Sequence, residues 1–179
     1  MSEKRTVAAE TKKGFAVGDL IIIAILLAAG AVLKLLVGSV INFFGMKPNF
    51  IIASYCLAIL LVRPKLYQSA IIGLLAGAIC QFLPGTPYLN FISELIGAVV
   101  MGLLINVPMK LGKFDINPMI STFVSTVVSG ATYTVCLFLI VKMTTEGMVA
   151  YVPIVLCTAL LNMIIVQLLY IPLKKICKK

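Results

Sequence analysis

The chain contains no histidine, and only 6 of its 179 residues are acidic against 15 basic ones. Without histidine, neither a Ser-His-Asp triad nor a histidine metal site can be assembled. With so few carboxylates, paired acid–base chemistry has little to work with, which argues against an intramembrane enzyme. Charge of either sign is scarce: 12% of residues are charged and 61% hydrophobic, which excludes a soluble domain with an ordinary solvated surface. The five cysteines, Cys56, Cys80, Cys136, Cys157 and Cys177, stand singly without a C-x-x-C pair, and four lie in apolar stretches where cysteine behaves as a small hydrophobe. No metal site and no cofactor is expected. A phosphate-binding loop of the G-x-x-x-x-G-K-[ST] type is also missing, so any energy from ATP must come from a partner.

What is present is a series of long apolar runs. A span of a roughly 30 Å hydrocarbon core takes about 20 apolar residues, and six segments meet or approach that length: Gly18 to Val40, Asn49 to Val62, Leu66 to Leu83, Tyr88 to Val107, Asn117 to Val141, and Met148 to Leu173. Between them lie Gly45 to Pro48, Arg63-Pro64-Lys65, Pro84-Gly85-Thr86-Pro87, Pro108 to Asp115 and Lys142 to Gly147, the punctuation that ends helices. The runs are continuous rather than alternating, which selects helices over a barrel. The sequence therefore predicts an all-α integral membrane bundle of six helices (residues 18–173), with a polar N-terminal tail (1–17) and a short basic C-terminal tail (174–179).

Basic residues give the bundle an orientation. One side receives Lys4, Arg5, Lys12, Lys13, Arg63, Lys65, Lys110, Lys113, Lys174, Lys175, Lys178 and Lys179, and the other only Lys34, Lys47 and Lys142. By the positive-inside rule both termini are cytoplasmic. The net charge of +9 thus reflects topology, and no nucleic-acid partner is expected.

The second segment is unusual. Asn49 to Val62 is 14 residues long, about 21 Å of helix, too short to cross comfortably alone. Either its ends snorkel, or Gly45-Met46-Lys47-Pro48-Asn49 dips below the outer surface and helps floor a ligand site, since irregular backbone at membrane depth is tolerated where it lines a cavity. Apart from Asp19 at the very start of the first segment, Glu94 is the carboxylate that lies within a span, and a buried intramembrane acid is a functional candidate whose partner should be named. Lys47 is that partner on the sequence alone. Gln81, Tyr88 and Asn90 crowd the outer loop between the third and fourth segments and offer amide and hydroxyl groups to a polar ligand. Tyr133 lies near the outer end of the fifth segment, and Asn162, mid-way along the last, must be hydrogen-bonded in the interior. Ser121, Ser125 and Ser129 recur every four residues beside Thr122, Thr126, Gly130 and Thr134. That spacing suits close helix packing with back-bonding to the chain. Ser69, Gly73 and Gly77, and likewise Ala24 and Ala28, have the small-residue spacing that lets another helix approach, from within this chain or from a partner.

A six-helix bundle of this size, with both ends inside, no nucleotide site and Ala24-x-x-x-Ala28 in the first span, resembles the substrate-binding S component of energy-coupling factor (ECF) transporters. Within that group, Gly45-Met46-Lys47-Pro48-Asn49 followed by Ile51 to Val62 and Arg63-Pro64 is similar to the tryptophan transporter family, whose pattern can carry an acid where Asn49 stands. The likeness runs from the first helix to Gly85 and again through the last. It implies a non-enzymatic subunit of the bacterial cytoplasmic membrane that captures its ligand from outside. Such a subunit docks, here through Ala24 and Ala28, on a transmembrane coupling protein carrying two ATPase subunits. For tryptophan, Lys47 would pair with the ligand carboxylate, Glu94 would take its ammonium, Asn49 or Asn90 would fix orientation, and Tyr133 or Phe82 would stack on the indole. Two other readings stay open: an S component for a vitamin or precursor of pyrimidine, pyridoxine or pantothenate type, and a membrane scaffold without a small ligand. Replacing Lys47 with alanine is expected to weaken tryptophan binding by the purified chain in detergent, and unchanged affinity removes Lys47 from the site.

Overall fold

A computed structural model of the chain describes residues 14–40, 48–83, 86, 88–112 and 114–177. The basic N-terminal residues up to Lys13, the Gly45-Met46-Lys47 element, Lys113, Lys178 and Lys179 lie outside the described residues. Those described form six helices: α1 (Val17–Val40), α2 (Ile51–Val62), α3 (Leu66–Cys80), α4 (Leu89–Leu104), α5 (Asn117–Ile140) and α6 (Thr145–Ile176). Between α4 and α5 a minimal antiparallel hairpin, β1 (Lys110–Leu111) and β2 (Phe114–Asp115), pairs Lys110 with Asp115 and Leu111 with Phe114. Gly112 makes its turn with φ at +61°, a backbone conformation glycine adopts without steric cost.

The helices follow the apolar segments closely, and their ends have identifiable causes. α2 stops at Arg63, which takes a left-handed conformation and donates its N–H to the Ile59 carbonyl at 2.9 Å, immediately before Pro64. At the start of α3, the Lys65 N–H is held by the Gln68 side chain at 2.8 Å. α6 starts earlier than its hydropathy suggests: the Thr144 hydroxyl accepts the Gly147 N–H at 3.2 Å, so residues 145–147 are the first helical turn rather than loop.

The short α2 is the hub of the bundle. Residues Ile51 through Leu60 are all buried, and α2 packs against every other helix. A helix that is apolar on all faces is stable only where other elements surround it. Its 12 residues, about 18 Å of helix, therefore need not match a bilayer unaided, because protein rather than lipid covers its sides. The remaining helices pair in chain order around it: α3 with α4, α4 with α5, α5 with α6, and α1 against α2.

Small residues set the closest of these contacts. A Cβ on Gly73 would fall 2.6 Å from the Glu94 carbonyl oxygen, and one on Gly77 2.9 Å from the Phe91 Cα, so α3 and α4 are nearly backbone to backbone. The small-residue pattern of the third segment thus serves packing inside this chain. Ala24 and Ala28 instead lie on the exposed side of α1, opposite the buried stripe Ile23, Leu27, Gly30 and Lys34.

The stretches Val17–Leu36, Asn117–Ile140 and Thr145–Ile176 are long and apolar enough to cross a membrane, while α2, α3 and α4 are shorter apolar helices. Ile21, Ile25 and Leu36 on α1, Leu139 and Ile140 on α5, and Val149 and Leu168 on α6 are exposed large apolar side chains. Such surface is sustainable in lipid and not in water, and the chain is a membrane protein. At one end of the bundle Lys174 pairs with Asp115 of β2 at 3.6 Å and lies 5.0 Å from the centre of the Tyr170 ring.

Asn117 ties α4 to α5. Its side-chain amide donates to the Leu104 carbonyl at 2.8 Å and the Val107 carbonyl at 2.7 Å, satisfying groups that the end of α4 leaves without helical partners. Asn117→Ala is expected to destabilise the protein by about 1–3 kcal/mol, measured as a lower thermal unfolding midpoint in detergent.

Candidate functional site

Glu94 sits in the second turn of α4 and is fully buried. A carboxylate in that position needs donors, and it receives them from two elements. The Asn49 side-chain amide, just ahead of α2, donates to Oε1, and the Ser129 hydroxyl of α5 donates to Oε2 at 3.3 Å. Asn49 is itself anchored from α6, where the Asn162 amide donates to the Asn49 carbonyl at 3.1 Å. Elements far apart in sequence thus converge on one buried polar centre. Helix positions dictate it: Asn49 enters where the Pro48 break ends, Glu94 and Ser129 lie at equivalent depth on neighbouring helices, and Asn162 is midway along α6.

Tyr55 of α2 completes the centre. Its hydroxyl lies near Glu94, Ser125 and Ser129, and a Cβ on Gly97 would fall 2.3 Å from it. Only glycine at position 97 leaves room for the phenol. The Tyr55 hydroxyl faces the Glu94 carboxylate and the Ser125 and Ser129 hydroxyls, while Asn49 Oδ1 and Asn162 Oδ1 are buried without a hydrogen-bond partner among the described residues. Ser69, Ser121, Thr122 and Gln167 hold such atoms too, and what distinguishes this centre is the buried carboxylate that Asn49 meets.

The hydroxyl ladder of α5 serves both its own helix and the polar centre. Thr126 and Thr134 bond back to the carbonyls of Thr122 and Gly130, both at 2.8 Å. Ser125 instead reaches across to the Gly97 carbonyl at 2.8 Å, and Ser129 to Glu94. Ser125 and Ser129 therefore join α5 to the polar centre, and Thr126 does so too, its hydroxyl accepting from the Asn162 amide at 3.5 Å.

Of the residues singled out in the sequence, Asn49, Glu94 and Asn162 come together here. Lys47 lies outside the described residues. Gln81, Tyr88 and Tyr133 do something else: Gln81 donates to the Gly77 carbonyl at 2.9 Å and accepts the Tyr88 N–H at 2.8 Å, while the Tyr133 hydroxyl accepts the Thr86 N–H at 3.2 Å. These three brace the connection from α3 to α4, with the Tyr133 ring tilted against Tyr151 at 6.3 Å. Asn90 is buried in the first turn of α4 where it abuts Gly77, and Phe82 is 90% exposed.

Two residues near the centre escape sequence reading. Tyr55 is hidden in an apolar run. Lys34, counted with the outer flank on charge alone, is only 7% exposed and lies inside the bundle, its ammonium 3.4 Å from the Cys80 sulfur and close enough for its charge to act on Glu94. The signal for Lys34 was its register, because it continues the stripe of Ile23, Leu27 and Gly30.

Replacing Glu94 with leucine strands the Asn49 amide and the Ser129 hydroxyl, whereas glutamine keeps an oxygen acceptor for them. Glu94→Leu is expected to unfold at a lower temperature than Glu94→Gln in detergent melts, a gap of about 1–3 kcal/mol.

Comparison with known proteins agrees with a membrane transporter. Residues 16–178 match the family described as Tryptophan transporter TrpP. A protein of Clostridium acetobutylicum described as "Probable tryptophan transport protein" is 29% identical over 160 residues, covering 87% of this chain and 91% of that protein. No solved structure matches. The match spans nearly the whole chain, all six helices included, and the chain belongs to the tryptophan transporter TrpP family.

Proposed function

We propose that this chain is the substrate-binding subunit of an energy-coupling factor type uptake transporter for tryptophan. Six spans, with both termini in the cytoplasm, would cross the bacterial cytoplasmic membrane. The observation that carries the binding role is the buried Glu94 carboxylate met by Asn49, with the Asn49 and Asn162 amide oxygens left without a described partner. A carboxylate with unused amide oxygens in the same hydrogen-bonded group suits a ligand bearing several N–H donors, and an α-ammonium has three. The tryptophan transport named for the family and for the clostridial relative supplies the substrate.

In this reading Glu94 accepts the ligand ammonium while Asn49 and Asn162 fix its orientation. Among aromatic rings, Tyr55 is the one whose hydroxyl lies in the centre; Tyr133 is engaged with Thr86, and Phe82 faces outward. Alternating spans bring the start of α2, the end of α3 and the start of α4 to the outer side. Ligand then enters from outside, in keeping with uptake. Energy comes from elsewhere, since the sequence carries no phosphate loop of the P-loop type. The exposed Ala24 and Ala28 offer a small-residue face on α1 to a transmembrane coupling protein that carries two ATPases.

Two measurements test the proposal. The purified chain in detergent is expected to bind labelled L-tryptophan saturably. Vesicles holding the chain alone should not accumulate it, and accumulation should require the coupling protein, both ATPases and ATP. Accumulation by the chain alone overturns the energy-coupling assignment and leaves tryptophan transport standing. Saturable binding of a vitamin but not tryptophan reassigns the substrate, and no saturable binding of either returns the chain to a scaffold.

A further inference from the structure

The buried face of α1 ends in a cation. Ile23, Leu27, Gly30 and Lys34 form one stripe against the bundle, and the first three are the apolar or small residues that such a position calls for. Lys34 is not. Its ammonium is enclosed, and its one hydrogen bond among the described residues goes to the Cys80 thiol at 3.4 Å. A thiol is a weak acceptor, whereas an ammonium has three protons to place. Buried charges are ordinarily paired, and this one is not paired with a carboxylate among the described residues, whose ion pair is Lys174–Asp115 at the far end of the bundle.

The natural counter-charge is close without being in contact. The charge of Lys34 reaches Glu94, and the Cys80 thiol that the ammonium touches lies in the field of both. Yet the donors that reach Glu94 are the neutral Asn49 amide and Ser129 hydroxyl. The two opposite charges are both buried in a low-dielectric interior, and among the described residues each is met by neutral groups only. Their surroundings differ in chemistry. Around Glu94 lie acceptors without partners, Asn49 Oδ1 and Asn162 Oδ1. Around Lys34 lie a cation and a thiol.

We propose that Lys34 is the carboxylate-binding residue of the site, so that Lys34 and Glu94 together grip the ammonium and carboxylate of an α-amino acid as one zwitterionic unit. The proposal rests on the function argued above and adds its specificity: the recognised group is the amino-acid backbone, held at both charges. Binding cancels two buried charges at once, which a ligand lacking either group cannot do. An amine without the carboxylate leaves Lys34 uncompensated, and an acid without the ammonium leaves Glu94 so.

The test is a ligand series on the full-length protein in detergent, comparing L-tryptophan, tryptamine and 3-indolepropionate. The unaltered protein is expected to prefer tryptophan over both analogues by about tenfold or more, the worth of a hydrogen bond to a charged group. Lys34→Met is expected to lose the preference over tryptamine while keeping that over indolepropionate, and Glu94→Gln to do the reverse. Lys34→Gln takes the place of Lys34→Met if the latter does not fold, and Lys34→Arg is expected to retain the preference over tryptamine. A Lys34 variant that binds with the tryptophan-to-tryptamine ratio unchanged overturns the assignment, as does a ratio that collapses in Lys47→Ala instead. Failure of the unaltered protein to bind tryptophan overturns the transport reading itself, and the assignment of Lys34 with it.

Discussion

The bond from the Asn49 amide to the Glu94 carboxylate is the interaction on which the centre of this protein depends. It links the segment that opens α2 to the middle of the α3–α4 pair, and Asn162 of α6 holds the same asparagine by its backbone carbonyl. A carboxylate with no exposure to solvent imposes a severe requirement on its surroundings, because each missing donor costs several times what a made bond contributes. Meeting that requirement draws in α5 through Ser129 and aligns four helices at one depth. Polar satisfaction and the close glycine contacts together set the relative heights of the helices here.

The short α2 makes sense under the same constraint. A full-length helix in its place would run through the space where Asn49 meets Glu94. By beginning at Ile51, after Pro48, the chain brings a backbone carbonyl and an amide side chain into the interior, where a continuous helix would have consumed the carbonyl in its own ladder. The other five helices supply the cover that α2 needs. Glycines then regulate how closely they approach: Gly73 brings α3 onto the Glu94 backbone, and Gly97 makes room for the Tyr55 hydroxyl beside the carboxylate.

Much of this was visible in the sequence. The six apolar segments correspond to the six helices, and their ends fall at prolines, glycines and charged residues for local reasons of backbone geometry. Glu94 and Asn162 stood out because polar groups in apolar runs are costly and so are informative, and Asn49 because it closes the break from Gly45 to Asn49 ahead of the short helix. Other residues were less legible. Gln81, Tyr88 and Asn90 read as ligand groups because they cluster in one loop, and Tyr133 because it lies near the outer end of the fifth segment, yet the Gln81 side chain, the Tyr88 backbone and the Tyr133 hydroxyl all make bonds that brace that loop. Lys34 read as a flanking charge, because its distance from the end of an apolar run says nothing about the direction it faces. Tyr55 gave no signal at all, being one apolar residue among many.

By itself, then, the sequence determined that this is a helical membrane protein, roughly where its helices lie, and that one of them is too short to stand alone. Those properties follow from hydropathy, charge and proline placement, which act over a few residues along the chain. Which polar groups meet was decided only by tertiary structure. The rotation of each helix about its axis and its depth in the bundle arise from close contacts between residues distant in sequence, such as Gly97 with Tyr55 and Gly30 with Ser54. Lys34 and Glu94 are 60 positions apart, and nothing local to either says that the charge of one reaches the other.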